Sequence, residues 1–153
     1  MARYWMLKEL RALVEEWLQP GHPGRRCWMC GRRVHADGRK LDSIMARHLV
    51  RLYKRDRVRP DEFVDYRRLM ERGRVGECAS LRYWGLAEPD ALRPGWWRIT
   101  ELGRAFVRGE VTVPRKVWVY MRTVRHRSKN QTTIREALGD KFDLDEMLAS
   151  ELE

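Results

Sequence analysis

The sequence predicts an α+β protein that is mainly helical, and three observations predict it. Apolar residues recur at three- and four-residue spacing in four successive stretches. A Cys-x-x-Cys pair sits in a segment bounded by proline and glycine that suits a small ribbon rather than a helix. Strand-like composition or alternation is confined to residues 96–99 and 111–120. At 153 residues the expectation is one main domain with appendages.

The first helix is expected over residues 3–19, where Met6, Leu10, Leu13 and Trp17, with Leu7, Val14 and Leu18 beside them, form one apolar stripe. Pro20-Gly21-His22-Pro23-Gly24 stops it. Arg25 to Lys40 is read as a two-stranded ribbon, with Asp37-Gly38 as its turn. Asp42 or Ser43 caps a second helix through Ile44, Met45, Leu49, Leu52 and Tyr53 to about Arg55. Pro60 and the acids Asp61 and Glu62 open a third through Phe63, Tyr66 and Met70 to Gly73. Val75, Cys78 and Leu81 mark the buried side of a fourth, ending at Gly85. Trp96–Ile99 suits a strand, Thr100 caps a short helix closed by Gly109, and Val111–Tyr120 alternates as a strand interrupted by Pro114. Residues 125–131 read as a polar connection; Thr133 caps Ile134–Leu138, and Asp143 to Glu146 has a capping-box layout before a terminal helix.

The formal charge of +10 rests on 32 Lys and Arg against 22 Asp and Glu, and favours polyanions. Arginine-rich composition also follows from GC-rich coding or heat adaptation, so position says more than the total. Residues 128–153 hold seven acids against Lys129, Arg135 and Lys141, which leaves the rest of the chain more basic still. No apolar run approaches the roughly 18 residues that span a bilayer, and no signal core opens the chain, so a cytoplasmic protein is expected.

Leu81-Arg-Tyr-Trp84-Gly85-Leu86-Ala87, a variable turn, then Trp97-Arg98-Ile99-Thr100-Glu101-Leu102-Gly103-Arg104 resembles the recognition helix, wing and following helix of MarR-like and ArsR-like winged-helix regulators. The resemblance implies a winged helix-turn-helix over 41–120, preceded by a helix and cysteine ribbon over 1–40 and followed by a helical extension over 121–153. It implies binding of duplex DNA and transcription regulation. Arg82, with Tyr83 beside it, would reach a base edge; Lys54, Arg72 and Arg74 would suit phosphates, and Arg93 in the wing a minor groove. An ordinary solvated arginine face is the competing reading. The whole chain is also similar to a group of phage-encoded proteins of unassigned function, on Cys27–Gly31, Leu81–Leu86 and Ile134–Asp143. That similarity implies a phage or prophage setting and no particular activity.

Three cysteines, an odd number, do not read as a secreted disulfide framework. Cys27-Trp-Met-Cys30-Gly31 has the form of a zinc knuckle, and His35 would extend it to Cys-x2-Cys-x4-His. Lys40 occupies the fourth position and cannot ligate, so one zinc ion would need His22, Asp37, His48, a water or a second subunit. A reduced thiol pair without metal is the alternative, and Cys78 reads as core. Arg125 and Arg127 are candidate nucleic-acid-binding residues, and His126 between them lies in a basic run that suits phosphate contact better than proton transfer; His48 reads as a helix-surface residue. With no nucleophile elbow and no phosphate loop, the chain does not read as an enzyme. Three functions stay open: DNA binding, a protein-interaction module such as a phage factor engaging a host protein, and an RNA-binding accessory role that stacks bases on tryptophan. A homodimer stays open too. The seven tryptophans exceed what the core needs, and Trp118 with Tyr120 on an exposed strand face is a candidate contact surface.

Overall fold

The computed structural model describes residues 2–70 and 75–151. The chain divides into two compact units: Met1–Lys40 with Lys116–Ser128, and Leu41–Arg115 with Lys129–Glu153.

Unit 1 opens with α1 (Ala2–Trp17), which stops where Pro20 and Pro23 deny it further amides. A ribbon follows, β1 (Arg25–Arg26) antiparallel to β2 (Arg33–Val34). Its turn lies at Cys27–Arg32, not at Asp37-Gly38 as the sequence predicts. Asp37-Gly38 instead begins β3 (Asp37–Lys40), which pairs with a strand of residues 116–120. Gly38 lies opposite Trp118 in that pairing and leaves room for the side chains that cross it, a Cβ there standing 2.5 Å from Lys116 Cε and 3.2 Å from Trp118 Nε1.

Unit 2 is built around α2 (Ser43–Val58). The Asp42 side chain caps it by accepting from Met45 N at 2.9 Å. Met45, Leu49 and Leu52 bury its inner face. The third helix expected from Pro60 onward is mostly replaced. Residues 59–62 turn, β4 (Val64–Asp65) pairs with a strand of residues 96–99, and only α3 (Tyr66–Leu69) remains helical. Asp61 holds a left-handed φ of 60°, its N–H donating to Asp56 Oδ1 at 3.0 Å, and that turn delivers β-branched Val64 to the sheet.

After α4 (Val75–Ser80), Leu81–Trp84 winds as a 3-10 turn that ends at Gly85 with φ 71°. β5 (Ala87–Pro89) and β6 (Trp96–Ile99) form a hairpin, giving the sheet order β4-β6-β5. Thr100 caps α5 (Glu101–Val107), accepting from Gly103 N at 3.1 Å and donating to Gly85 O at 2.5 Å. β7 (Val113–Pro114) pairs with residues 131–132, and the chain then enters unit 1 as β8 (Lys116–Tyr120) and β9 (Thr123–Arg127), in the order β3-β8-β9. β10 (Gln131–Thr132), α6 (Ile134–Leu138) and α7 (Leu144–Ala149) complete unit 2; α4, α5, α6, α7 and β6 all pack on α2.

The mainly helical, winged-helix class that the sequence predicts is therefore corrected. Helix accounts for 42% and strand for 22%, in seven helices and four small antiparallel sheets among the described residues, and no winged-helix fold is shown. The segment expected as a third helix keeps only the four residues of α3, its remainder going to a turn and to β4, and the chain after α4 tightens to 3-10 geometry at Leu81–Trp84. No described helix is long and apolar enough to cross a membrane.

Candidate nucleic-acid interface

The expected DNA face falls in unit 2, where the structure ties its residues down. Lys54 Nζ donates to Ser150 Oγ at 2.8 Å, beside the end of α7. Arg82 sits in the 3-10 turn and folds back, donating to Tyr83 Oη at 3.2 Å with its guanidinium 5.0 Å over the Tyr83 ring. Arg93 pairs with Asp90 at 2.7 Å and stacks 4.2 Å over Trp96. The Leu92 amide, then Arg93, holds the Asp90 carboxyl below its ordinary range. Arg72 and Arg74 lie outside the described residues.

Charge is divided unevenly. Unit 1 carries 13 Lys and Arg against 4 Asp and Glu, a net +9, whereas unit 2 carries 19 against 18, a net +1. Much of the cationic charge of unit 2 is internally answered: Arg98 pairs with Glu88, Arg104 with Asp56, Asp61 and Glu101, Arg108 with Glu110, and Arg135 with Asp145.

In unit 1 the cations gather on the cysteine ribbon. Arg26 and Arg33 are directly opposed in the strand register, where like charges oppose each other. Arg26 donates to Gly31 O at 3.2 Å and Arg33 to Pro23 O at 2.9 Å, so carbonyls steady them without cancelling their charge. Arg25 and Arg32 flank them, and all four are exposed. Arg32 also lies 3.8 Å from Met121 Sδ, at the tip of the β8-β9 hairpin, next to exposed Arg122. Arg127 is exposed on β9, opposite Val117. Arg125 is half-buried and paired with Glu15 of α1, so it is a strut rather than a phosphate ligand. His126 is half-buried as well, with its Nε2 enclosed and unpartnered, which corrects its reading as a phosphate contact. His48 is fully buried in α2 rather than on a helix surface.

The cysteine pair forms the ribbon's turn. Cys27 N donates to Arg32 O and Gly31 N to Cys27 O, both at 2.8 Å, with Gly31 at a left-handed φ of 70°. The amides of Cys30 and Met29 point at the Cys27 sulfur, with the Cys30 thiol beside it; these bonds hold the Cys27 thiol below its ordinary pKa against a smaller opposing effect of burial. His35 does not join them. Its Nδ1 lies 3.1 Å from His22 O and its Nε2 3.6 Å from Asp37 Oδ1. Among the described residues no group of three or more His, Cys, Asp and Glu stands ready for a metal. Cys78 is core, and burial pushes its thiol up to about 12.

Most described tryptophans have structural work. Trp84 Nε1 donates to Pro114 O at 2.7 Å, Trp97 meets Tyr66 edge-on, and Trp96 lies under Arg93. Trp118 and Tyr120, expected on an open strand face, instead pack with Val14 and Trp17 on a core of Leu18, Val34 and Ala36. Trp28 is the exception, 73% exposed at the ribbon tip beside Met29 at 68%. The sequence reading passed over Trp28 and the four ribbon arginines. Their signal was two Arg-Arg pairs bracketing Cys-Trp-Met-Cys-Gly.

Compared with protein-family models, curated proteins and solved structures, the chain matches none.

Proposed function

We propose that the protein binds nucleic acid through unit 1 and prefers single strands, with Arg25, Arg26, Arg32 and Arg33 on phosphates and Trp28 as a stacking surface. The observation that carries this reading is the ribbon tip, where an exposed indole stands among four exposed guanidiniums, Arg26 and Arg33 on backbone carbonyls and Arg32 beside a sulfur, with no carboxylate partner among the described residues. An indole left in water forgoes the gain of burial, and opposed arginines repel; a polyanion carrying π faces relieves both. The net +9 of this unit supplies the long-range attraction. A duplex is the weaker ligand, because its stacked bases offer Trp28 no free face, and Arg82 and Arg93 are engaged within unit 2.

The test is fluorescence anisotropy with labelled oligonucleotides of about 20 nucleotides, as single-stranded DNA, single-stranded RNA and duplex, titrated with salt. Single strands should bind more tightly than the duplex and quench tryptophan emission. Trp28→Ala should weaken single-strand binding by about 1–3 kcal/mol. Arg26→Gln combined with Arg33→Gln should flatten the log-log salt slope by about 1.4. Failure of every oligonucleotide to bind at low salt, or binding indifferent to all three substitutions, overturns the reading.

A further inference from the structure

We infer that Cys27 and Cys30 are half of a zinc site completed by the same two residues of a second copy of this chain, so that one metal ion joins two ribbons. The two cysteines share one tight turn, closed by Cys27 N–H donating to Arg32 O and Gly31 N–H donating to Cys27 O, both at 2.8 Å, with Gly31 at a left-handed φ of 70°. That is the arrangement a knuckle uses to steady a metal-bound thiolate. Structural zinc takes four ligands in a tetrahedron, and one ribbon presents two. The imidazole best placed in sequence to be a third, His35, is engaged with His22 O and Asp37. Cys30 is exposed and Cys27 half-exposed, so the pair is open to ligands from outside the chain.

Two further features fit a second ribbon as the source of those ligands. Four thiols give up four protons as four Zn–S bonds form, leaving a centre of charge −2. Arg25 and Arg26 on one side of the turn and Arg32 and Arg33 on the other, all exposed, give each copy a cationic surround whose sign complements a tetrathiolate centre. The side chains beside the pair are also apolar. Trp28 and Met29 join Met6, Leu7, Leu10 and Leu13 of α1 in an open groove of roughly 430 Å³. A two-fold axis through the metal would bring each groove toward the other copy's ribbon tip and cover it, the isologous contact that closed dimers use, so that the zinc-joined dimer and stacking of a base on Trp28 exclude each other. Without metal, two units of +9 repel. Association should therefore depend on zinc and strengthen with salt, the reverse of the salt response expected for nucleic-acid binding.

Sedimentation velocity of the reduced full chain, with zinc titrated as the probe and the metal content of each species measured, tests this. The expected result is a monomer in chelator and a dimer holding one zinc per two chains, with cobalt giving the absorption of a tetrathiolate site. Cys30→Ser should abolish both metal uptake and dimer. Leu13→Arg, which leaves the thiols in place, should weaken zinc-dependent dimerisation at least tenfold. A monomer with one zinc per chain, no zinc uptake by the reduced wild-type chain, or a dimer that persists in chelator and reductant overturns the inference.

Discussion

At the scale of single residues, Arg104 shows how an arginine-rich unit can be nearly neutral. Its guanidinium is 16% exposed and grips Asp56, 12% exposed, through two bonds of 2.8 and 2.9 Å, while Asp61 and Glu101 take its remaining edges. Arg104, with a smaller contribution from the Asp61 amide, holds the Asp56 carboxyl below its ordinary range. A depressed carboxyl contributes stability above its unfolded pKa and loses it as pH falls through the folded value. Urea midpoints of the wild type should therefore drop below about pH 4. Arg104→Ala should cost about 2–3 kcal/mol at neutral pH and flatten that acid limb; an unchanged limb means that Asp56 is not the titrating group. One residue away, Gly103 tolerates no side chain, because a Cβ would stand 2.2 Å from Leu86 O and 2.6 Å from Ile99 Cγ1. Gly103→Ala should lower stability by about 2–4 kcal/mol, since backbone on one side cannot yield. The sequence exposed the Thr100 cap, which is a local rule. It could not expose the Arg104–Asp56 grip, which joins residues 48 apart.

At the scale of elements, legibility follows whether a segment's partner is local. α1, α2, α5, α6 and α7 all form where apolar spacing and capping residues place them. The errors lie in strands. Residues 123–127 carry Arg-His-Arg where an apolar alternation would have marked β9, and β4 is held by pairing with β6, whose partner residues lie some 30 positions on. The β8-β9 hairpin had a second disguise. Its two-residue turn, Met121-Arg122, has φ of 49° and 63°, a conformation that favours Asn-Gly and penalises branched or long side chains. Such strain beside the basic ribbon is consistent with a tip retained for contact rather than for stability. Met121→Asn should raise stability by about 1 kcal/mol in thermal or urea unfolding, with Arg122 kept in place. A destabilised variant would mean that the Met121 contact with Arg32 outweighs the strain.

At the scale of the whole molecule, the partition of charge is the property that sequence inspection blurred. Read linearly, the chain is basic up to residue 127 and acidic after it, while the DNA reading rests on the resemblance carried by residues 81–104. Folding redraws the boundary, because residues 116–128 return to join the N-terminal forty and the acidic tail joins the arginine-rich middle. Unit 2 thereby neutralises itself and unit 1 is left with almost the entire surplus. The two accounts of where nucleic acid binds make opposite demands on hydrogen exchange. Binding through unit 1 should slow exchange in residues 25–40 and 116–128, since phosphates and bases would cover the ribbon and its neighbouring hairpin. Little change is then expected in 81–99, the segment that resembles a recognition helix and wing. The amides of Cys27 and Gly31 are already bonded within the ribbon turn, so added protection there would report stabilisation of the whole turn rather than a new partner for one amide. The measurement should be made with saturating single-stranded oligonucleotide and chelator, which keeps protection from nucleic acid distinct from protection by zinc-dependent pairing. Protection confined to 81–99 would return the contact to unit 2 and refute the charge argument, because a unit of net +1 would then be holding a polyanion that a unit of net +9 ignores.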